Sequence, residues 1–194
     1  MTYRIRVAKE EDASELLTIY GPYVLETAIT FDYEVPELDA FRQKMLAIQS
    51  RYPFLVIQEG NKILGYAYAS AFKDRKAYDW SCEVTIYLAK EARGKGIGPK
   101  LYQKLEACLQ AMGILNLNAC IAYAAKESEY LTNRSQVFHE KLGYELVGTF
   151  HKSGYKFQEW FDMIWMEKLI GEHESDVSDI ISFKEINADD ILRD

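Results

Sequence analysis

The sequence predicts an α/β domain built on a mixed, mostly antiparallel sheet of about seven strands with helices on both faces. Short apolar runs alternate with helical periodicities along the chain. Two runs, 54–58 and 63–72, are separated only by the turn Glu59-Gly-Asn-Lys62 and predict an antiparallel hairpin. A glycine-rich loop and a helix connect two later runs, which requires a crossover and hence one parallel pair of strands.

The N-terminal part predicts one strand and two helices before this hairpin. The alternation Arg4-Ile-Arg-Val7 is typical of a half-buried strand. Asp12 or Ser14 would cap the first helix, and Pro22, inside its apolar pattern, should kink or split it. Pro36 then opens a second helix.

The remainder predicts four further strands and two further helices. The helices end at Gly113 and Gly143, because glycine readily adopts the left-handed conformation that closes a helix. The expected strands are 81–88, 115–123, 144–151 and 156–169, and the expected helices are 98–112 and 133–142.

Length and charge indicate one domain followed by an acidic tail. The 194 residues suffice for a single core. The net charge is -7, and residues 171–194, with 8 acidic and 2 basic residues, supply -6 of it. The boundaries are therefore a domain over 1–170 and a tail over 171–194. The nearly neutral domain argues against nucleic acid as a partner, since nucleic-acid binding requires a basic face.

Cysteine usage and hydropathy point to a cytoplasmic protein without a membrane segment. Cys82, Cys108 and Cys120 form neither a metal-binding pattern nor an evident disulfide framework, and they read as packing residues. No apolar run is long enough to cross a bilayer. The first residues, beginning at Met1, do not have the apolar run of a signal peptide.

The glycine-rich loop is the strongest functional signal. Its glycines let the backbone curl so that successive N–H groups point to one place, and the following helix adds the positive end of its dipole. Two basic side chains add positive charge. We expect the loop to hold a pyrophosphate through Arg93, Gly94, Lys95, Gly96, Ile97 and Gly98.

Three other interpretations of this loop remain open. A dinucleotide fingerprint has the spacing G-x-G-x-x-G directly after its strand, whereas this loop has G-x-G-x-G after the intervening Ala89-Lys-Glu-Ala92. A nucleotide-binding P-loop has Lys-Ser or Lys-Thr after its last glycine, and neither follows Gly98. The loop could also be flexible and only incidentally rich in glycine.

The string R-G-x-G-I-G after an acidic-apolar strand resembles the acetyl-CoA loop of the GNAT superfamily. Two further segments, 133–144 and 154–162, resemble the late helix of that family and the G-Y-K-F-x-x-W-x-D stretch of its phosphinothricin/methionine-sulfone acetyltransferase branch. The resemblance covers residues 1–170. The longer segment 124–131 and the pair Gln158-Glu159 depart from the branch, and both departures concern the substrate more than the chemistry.

The resemblance implies the roles of two ionisable residues. Glu83, on an otherwise apolar strand, would be the general base that deprotonates the amine; a salt-bridged glutamate is the alternative. His139 would be the acid for the leaving thiolate, with an ordinary pKa near 6.5 that suits neutral pH; a packing histidine is the alternative. The resemblance also implies that the pantetheine arm pairs with the backbone of Ile86, Tyr87 and Leu88.

Other residues have two open readings each. Asn133 and Ser135 begin the late helix as caps, or contact the cofactor as the resemblance implies. Phe31, Arg75 and Tyr78 would line the substrate site, with Arg75 gripping a carboxylate; the alternative for Arg75 is a solvated loop position.

The expected function is acetyl transfer from acetyl-CoA, as co-substrate, to a primary amine by direct attack in a ternary complex. The expected acceptor is a small-molecule amine: a small amino acid or an analogue resembling phosphinothricin. A protein or peptide amine is the alternative acceptor, and a non-catalytic CoA-binding regulator is the alternative class. No metal is expected, since the histidines show no ligand spacing. A homodimer is expected from the resemblance.

The acidic tail has no counterpart in the resemblance. It holds large apolar residues that a disordered segment would usually lack. Val177, Ile180 and Ile181 have helical spacing, and Ile191-Leu192 could extend one face after a break near Asn187. We expect the tail to dock onto the domain or a partner subunit and to add stability; a mobile acidic end is the alternative.

Overall fold

The computed structural model describes residues 3–193, and its centre is a seven-stranded sheet in the order β1-β2-β3-β4-β5-β7-β6. Only β4 and β5 run parallel to each other among these neighbours. The predicted mixed sheet is confirmed. The strands are β1 (Tyr3–Val7), β2 (Phe54–Glu59), β3 (Lys62–Ala71), β4 (Ser81–Leu88), β5 (Asn116–Tyr123), β6 (Glu145–Lys156) and β7 (Glu159–Leu169).

Four helices flank the sheet, and a short fifth helix lies in the tail. Gly113 ends α3 with a φ of 90°, and Gly143 follows α4 with a φ of 86°, as the predicted helix ends require. The helices are α1 (Ala13–Glu26), α2 (Leu38–Gln49), α3 (Ile97–Met112), α4 (Arg134–Lys141) and α5 (Ala188–Leu192).

Both faces of the sheet are buried around β2, and the alternation of side chains along this strand produces this. Phe54 and Val56 face the core under α1 and α2. Leu55 and Ile57 face the core under α3. A strand covered on both faces is apolar at every position, so β2 reads as a continuous apolar run.

Helix α1 remains one helix through Pro22, so the predicted split is wrong. Proline removes one helical hydrogen bond, but the buried face of α1, which includes Leu16 and Val24, packs on the sheet and holds the helix together. Asp12 is the N-cap residue, yet its side chain makes no capping bond. Its carboxylate instead accepts hydrogen bonds from the Arg6 guanidinium at 2.6 and 2.9 Å.

The last hairpin turns later than the sequence predicts. Phe157 and Gln158 form the turn with φ values of 51° and 62°, and β6 continues to Lys156. The predicted break near residues 152–155 is a bulge inside β6, where Lys152 has a φ of 51°. A bulge and a turn share the same local sequence signals, which explains the error.

The tail lies against the domain. Its residues 171–187, which we call the strap, lead into α5. Trp80 Nε1 donates to the Ser178 carbonyl at 2.8 Å, and the Phe183 amide donates to the Arg51 carbonyl at 2.9 Å. Phe183 and Leu192 are buried in the core under α3. The predicted helical turn over 177–181 is wrong, since this stretch contains no helix; Asp194 lies outside the described residues.

Candidate active site

The site begins where β4 and β5 separate. Their parallel pairing covers only three positions and ends at Glu83 and Asn118. The side-chain amide of the buried Asn118 donates to the Cys82 carbonyl at 3.2 Å, at the end of this paired segment. Beyond this point β4 continues to Leu88 without β5, so a cleft opens between the two strands.

The cleft has a volume of 420 Å³ and collects residues from α1, α2, α3, α4 and the central strands. Six residues named from the sequence lie in its wall: Phe31, Glu83, Ile86, Tyr87, Ser135 and His139. Residues that sequence reasoning did not assign to the site complete it, among them Lys44, Tyr102, Cys120 and Ser153. The topology therefore brings the predicted base and the predicted acid into one cavity.

Glu83 is a half-buried carboxylate in this cleft. No ion pair or hydrogen bond of its side chain occurs among the residues that the structure describes. Burial raises its pKa, while the charges of Lys73 and Lys44 oppose that rise. A carboxylate with a raised pKa and no structural partner is suited to accept a proton.

His139 is buried and neutral. Its Nδ1 lies 2.8 Å from the Ser135 carbonyl oxygen, which can only accept, so Nδ1 carries the proton. The other ring nitrogen, Nε2, then accepts from the Tyr102 hydroxyl at 3.1 Å. Burial lowers the pKa of His139 to about 4, below the ordinary value near 6.5 on which the expected acid role depended. The Tyr102 hydroxyl is thus held by His139, and burial raises the pKa of Tyr102 well above its usual range.

The glycine loop is left-handed at two positions and open to one side. Gly94 and Gly96 have φ values of 74° and 73°, and a Cβ at either position would meet nothing within 4 Å. The backbone is therefore left-handed and open above the loop, as in an anion-binding nest. Gly98 also serves packing, because a Cβ there would lie 3.1 Å from the Phe138 ring, and this glycine lets α3 and α4 approach. The Arg93 guanidinium lies 4.6 Å over the Tyr23 ring.

The open edge of β4 offers fewer backbone groups than the sequence suggested. The Leu88 carbonyl accepts from the Tyr23 hydroxyl at 2.7 Å, and the Leu88 amide donates to the same oxygen at 3.0 Å. Alternate residues of a strand direct their backbone groups to opposite edges. The backbone groups of Leu88 point away from β3, so those of Ile86, two residues earlier, also face the cleft. Tyr87 directs its backbone groups to β3 and only its side chain to the cleft.

Ten residues named from the sequence do not line the cleft: Leu88, the loop residues 93–98, and Arg75, Tyr78 and Asn133. Arg75 and Tyr78 are exposed and do not line it; the Tyr78 ring instead packs on Phe72 at 5.8 Å. The Asn133 side chain bonds both backbone groups of Ala124, at 3.0 and 2.9 Å, and makes no capping bond. Asn133 thus closes the loop before α4.

A buried lysine fixes the loop that carries Phe31. Lys156 is 3% exposed, and its Nζ donates to the carbonyls of Thr27 and Thr30, each at 2.8 Å. A Cβ on Gly154 would lie 2.3 Å from the Phe31 ring, so β6 and this loop are in close contact. The hairpin of β6 and β7 therefore positions one wall of the cleft.

The bulge in β6 explains why Ser153 reaches the cleft. Asp162 accepts from the Lys152 amide at 2.7 Å, and its other oxygen lies 3.3 Å from His151 Nδ1. These contacts hold the bulge and direct Ser153 inward. Cys120 is exposed in the cleft, unlike the buried Cys82 and Cys108, so the packing role suggested for it is wrong.

Two absences hold for residues 3–193. No group of three or more His, Cys, Asp or Glu residues is placed to hold a metal ion. None of the helices in this part of the chain combines the length and apolar character needed to span a membrane.

The parallel strands β4 and β5 separate, an open glycine loop precedes α3, and a carboxylate lies in the cleft. This arrangement suits an enzyme that removes a proton beside an anionic cofactor. The chain matches the family described as "Acetyltransferase (GNAT) domain" over residues 5–165. It therefore belongs to the GNAT acetyltransferase family, and the prediction of a GNAT-type N-acetyltransferase is confirmed.

Individual relatives agree with this assignment and with the predicted branch. A phosphinothricin N-acetyltransferase of Streptomyces coelicolor is 34% identical over 85% of this chain and 95% of its own. An L-methionine sulfoximine/L-methionine sulfone acetyltransferase of Pseudomonas aeruginosa is 30% identical over 86% and 94%. The crystal structure of a phosphinothricin acetyltransferase from Sinorhizobium meliloti in complex with AcCoA superposes with a TM-score of 0.84, at 31% identity and over 100% of both chains.

Proposed function

We propose that this acetyltransferase transfers an acetyl group from acetyl-CoA to the primary amine of a small amino acid or an analogue of phosphinothricin type. The observation that supports this most directly is the position of Glu83, which stands without an ion-pair partner among the described residues in a cleft that also holds Lys44. The carboxylate can take the proton of an ammonium group, and the lysine can attract a carboxylate. The names of the relatives support the same acceptor class.

Acetyl-CoA supplies an activated acetyl thioester at this site. The open nest of Gly94 and Gly96, flanked by Arg93 and Lys95, fits the pyrophosphate of such a cofactor. In this proposal the backbone of Ile86, which faces the cleft, holds the pantetheine arm and polarises the thioester carbonyl.

The residues around the reacting groups have distinct roles in this proposal. Glu83 removes the amine proton, directly or through water, and attack occurs without a covalent acyl-enzyme. The neutral His139 positions the Tyr102 hydroxyl, which can turn to donate a hydrogen bond to the leaving thiolate. Tyr102 thereby stabilises the thiolate by a hydrogen bond and keeps its own proton, because burial raises the pKa of its hydroxyl well above the usual range.

A product assay tests the proposed function. Purified protein with acetyl-CoA is incubated with a panel of amines that includes phosphinothricin, methionine sulfone, free amino acids and a peptide with a free amino terminus. We expect mass spectrometry to show N-acetylated small amino acids or analogues. Acetylation of the peptide alone would support the alternative acceptor, and acetyl-CoA binding without any product would identify a regulator.

Replacing Gly96 should weaken cofactor binding. Valine cannot adopt the φ of 73° without strain, and its branched side chain would occupy the open face of the nest. We expect Gly96→Val to weaken acetyl-CoA binding by roughly 1–3 kcal/mol, the scale of a strained backbone position. Calorimetry measures this. Gly60→Val, at the β2–β3 turn with a φ of 57°, carries a similar strain away from the loop and should leave the affinity unchanged. Unchanged affinity in Gly96→Val would remove the loop from the cofactor site.

We also propose a homodimer, formed through the edge strand β6. Three large side chains on this strand are more than half exposed: Leu146, Val147 and Phe150. An edge strand with an apolar surface favours pairing with a second copy. Light scattering at micromolar concentration should give the dimer mass, and Val147→Glu should give the monomer mass. Leu25→Glu, equally exposed on α1, is the control; a monomer mass for the unmodified protein would contradict the proposal.

A cytoplasmic location is proposed as well. Cys82 and Cys108 are buried free thiols, and Cys120 is an exposed one, a pattern that suits a reducing compartment. Fractionation of cells that produce the protein tests this, and recovery outside the cytoplasmic fraction would contradict it.

A further inference from the structure

A second cavity of 240 Å³ lies under α2, beside the active-site cleft. Its inner wall is apolar and aromatic, and four of its residues are almost fully buried: Phe41, Met45, Phe54 and Tyr66. We call this cavity the side pocket. Its complete lining comprises these four residues with Tyr20, Asp32, Pro36, Ala40, Lys44, Ile48, Tyr68 and Tyr87.

The aromatic wall of the side pocket is a packed stack, which makes the cavity a fixed feature of the fold. The Phe54 ring stacks on Tyr66 with centroids 5.5 Å apart and on Tyr68 at 4.9 Å. Phe41 meets Tyr66 edge-on at 6.3 Å. Rings held in this way lose little freedom when a ligand binds, so apolar contact with them translates efficiently into affinity.

The side pocket adjoins the cleft. Both cavities share the same five residues in their walls: Tyr20, Asp32, Lys44, Tyr68 and Tyr87. A ligand whose reactive end lies at Glu83 can therefore extend an arm past these residues and under α2.

Charge at the junction determines which end of a ligand enters the side pocket. Asp32 and Lys44 are exposed at the rim, and the Asp32 carboxylate accepts from the Tyr20 hydroxyl at 2.5 Å. The remaining lining residues carry no charged side chain. A charged amine and carboxylate would keep their hydration or their ionic partners in the cleft, whereas an apolar arm gains by leaving water.

We propose that the side pocket binds the apolar arm of the acceptor, so that the enzyme prefers α-amino acids with large aliphatic or aromatic side chains. This inference rests on the proposed function, because it takes the amine of the acceptor to lie at Glu83. It adds the chemical class of the side chain, which neither the family nor the cleft alone specifies.

The test compares kcat/KM for L-alanine, L-leucine and L-phenylalanine at saturating acetyl-CoA. Burial of a leucine or phenylalanine side chain should favour these acceptors over alanine by about 10- to 100-fold. Ala40 lies at the exposed side of the pocket, so Ala40→Phe can fill the pocket without disturbing the core. We expect this variant to reduce the preference to about threefold or less. Ala47→Phe, exposed on the same helix but outside both cavities, should keep the full preference.

The outcomes separate this inference from the proposed function. Equal kcat/KM for all three acceptors, or a preference that survives in Ala40→Phe, overturns the side pocket while leaving the acetyltransferase activity in place. Absence of any acetylated amine overturns the proposed function. In that case calorimetric titration of L-phenylalanine still tests whether the side pocket binds its side chain. Binding about tenfold weaker in Ala40→Phe than in Ala47→Phe supports this role of the pocket, and equal binding overturns it.

Discussion

Glu83→Gln should lower turnover by about 10²- to 10⁴-fold, the usual effect of removing a general base. The substitution is nearly isosteric, and Glu83 has no ion pair or hydrogen bond to lose among the described residues. We therefore expect a folded protein whose affinity for acetyl-CoA is unchanged. Steady-state kinetics and calorimetry measure the two quantities separately.

The pH dependence gives this prediction a second readout. Burial raises the pKa of Glu83, so the carboxylate protonates at a higher pH than an exposed glutamate, whose pKa is about 4.3. Because the base must be ionised, kcat/KM should fall as the pH is lowered through this raised pKa. The acid limb should be absent from the residual activity of Glu83→Gln.

Stability should change in the opposite sense from activity. A carboxylate whose pKa is higher in the folded than in the unfolded state binds a proton more readily when folded, so its ionisation costs stability once the pH exceeds the unfolded-state pKa. Glu83→Gln removes this cost. We expect its Tm at pH 7 to be equal to or above that of the parent, with the difference vanishing at acidic pH.

The matched control is Glu59→Gln, the same chemical change at an exposed strand position outside the cleft. It should leave turnover, pH profile and acetyl-CoA affinity as they are. Retention of full turnover by Glu83→Gln across neutral pH would make Glu83 a structural residue.

The sequence predicts most of the fold because local signals and tertiary packing agree there. Strand β4 spans the predicted residues 81–88 and helix α3 begins one residue before its predicted start, since an apolar strand, a glycine loop and a helical pattern follow one another. Errors occur where one signal has two meanings. Pro22 indicates a break, but packing maintains α1, and the signals around Gly154 fit a bulge as well as a turn.

The site is less predictable, because it depends on which side chains the topology brings together. Motif residues such as Glu83 and His139 reach the cleft as expected. Lys44 lies beside the apolar positions of α2, which is only a weak signal that its side chain lines the cleft. Tyr102 lies one helical turn after Gly98, the last glycine of the loop. Neither could be assigned without knowing the neighbour across the sheet. The low pKa of His139 arises from burial, which spacing does not report.

The tail lies outside the match to the family model, which ends at residue 165. Its contacts show what it does. Ile180 packs on Gly113 at the end of α3, and the Ile181 amide donates to the Met112 carbonyl at 3.0 Å. The Lys104 ammonium donates to the carbonyls of Ile191 and Arg193 at 2.8 and 2.7 Å. None of the described residues from 171 onward lines the cleft, so the strap is structural.

Truncation after Gly171 should therefore destabilise the domain while sparing the chemistry. Two buried side chains, Phe183 and Leu192, leave the core, and each is worth roughly 1.5–3 kcal/mol of apolar burial. Release of the ordered tail offsets part of this loss, because its backbone regains conformational freedom. We expect a net loss of about 2–5 kcal/mol, which lowers Tm by roughly 5–15 °C in a protein of this size.

Single substitutions in the full chain separate the tail's packing from its charge. Phe183→Ala should reproduce much of the loss, about 3–5 kcal/mol for a buried phenylalanine, whereas Val177→Ala, 40% exposed, should change stability by about 0.5 kcal/mol or less. Turnover measured well below Tm should be the same in the truncated and full-length proteins. An unchanged Tm after truncation would reduce the tail to a solvated acidic appendage. The truncated protein could instead stay folded and lose turnover. That result would show that the strap sets the geometry of the cleft by holding the strands and the helix it contacts.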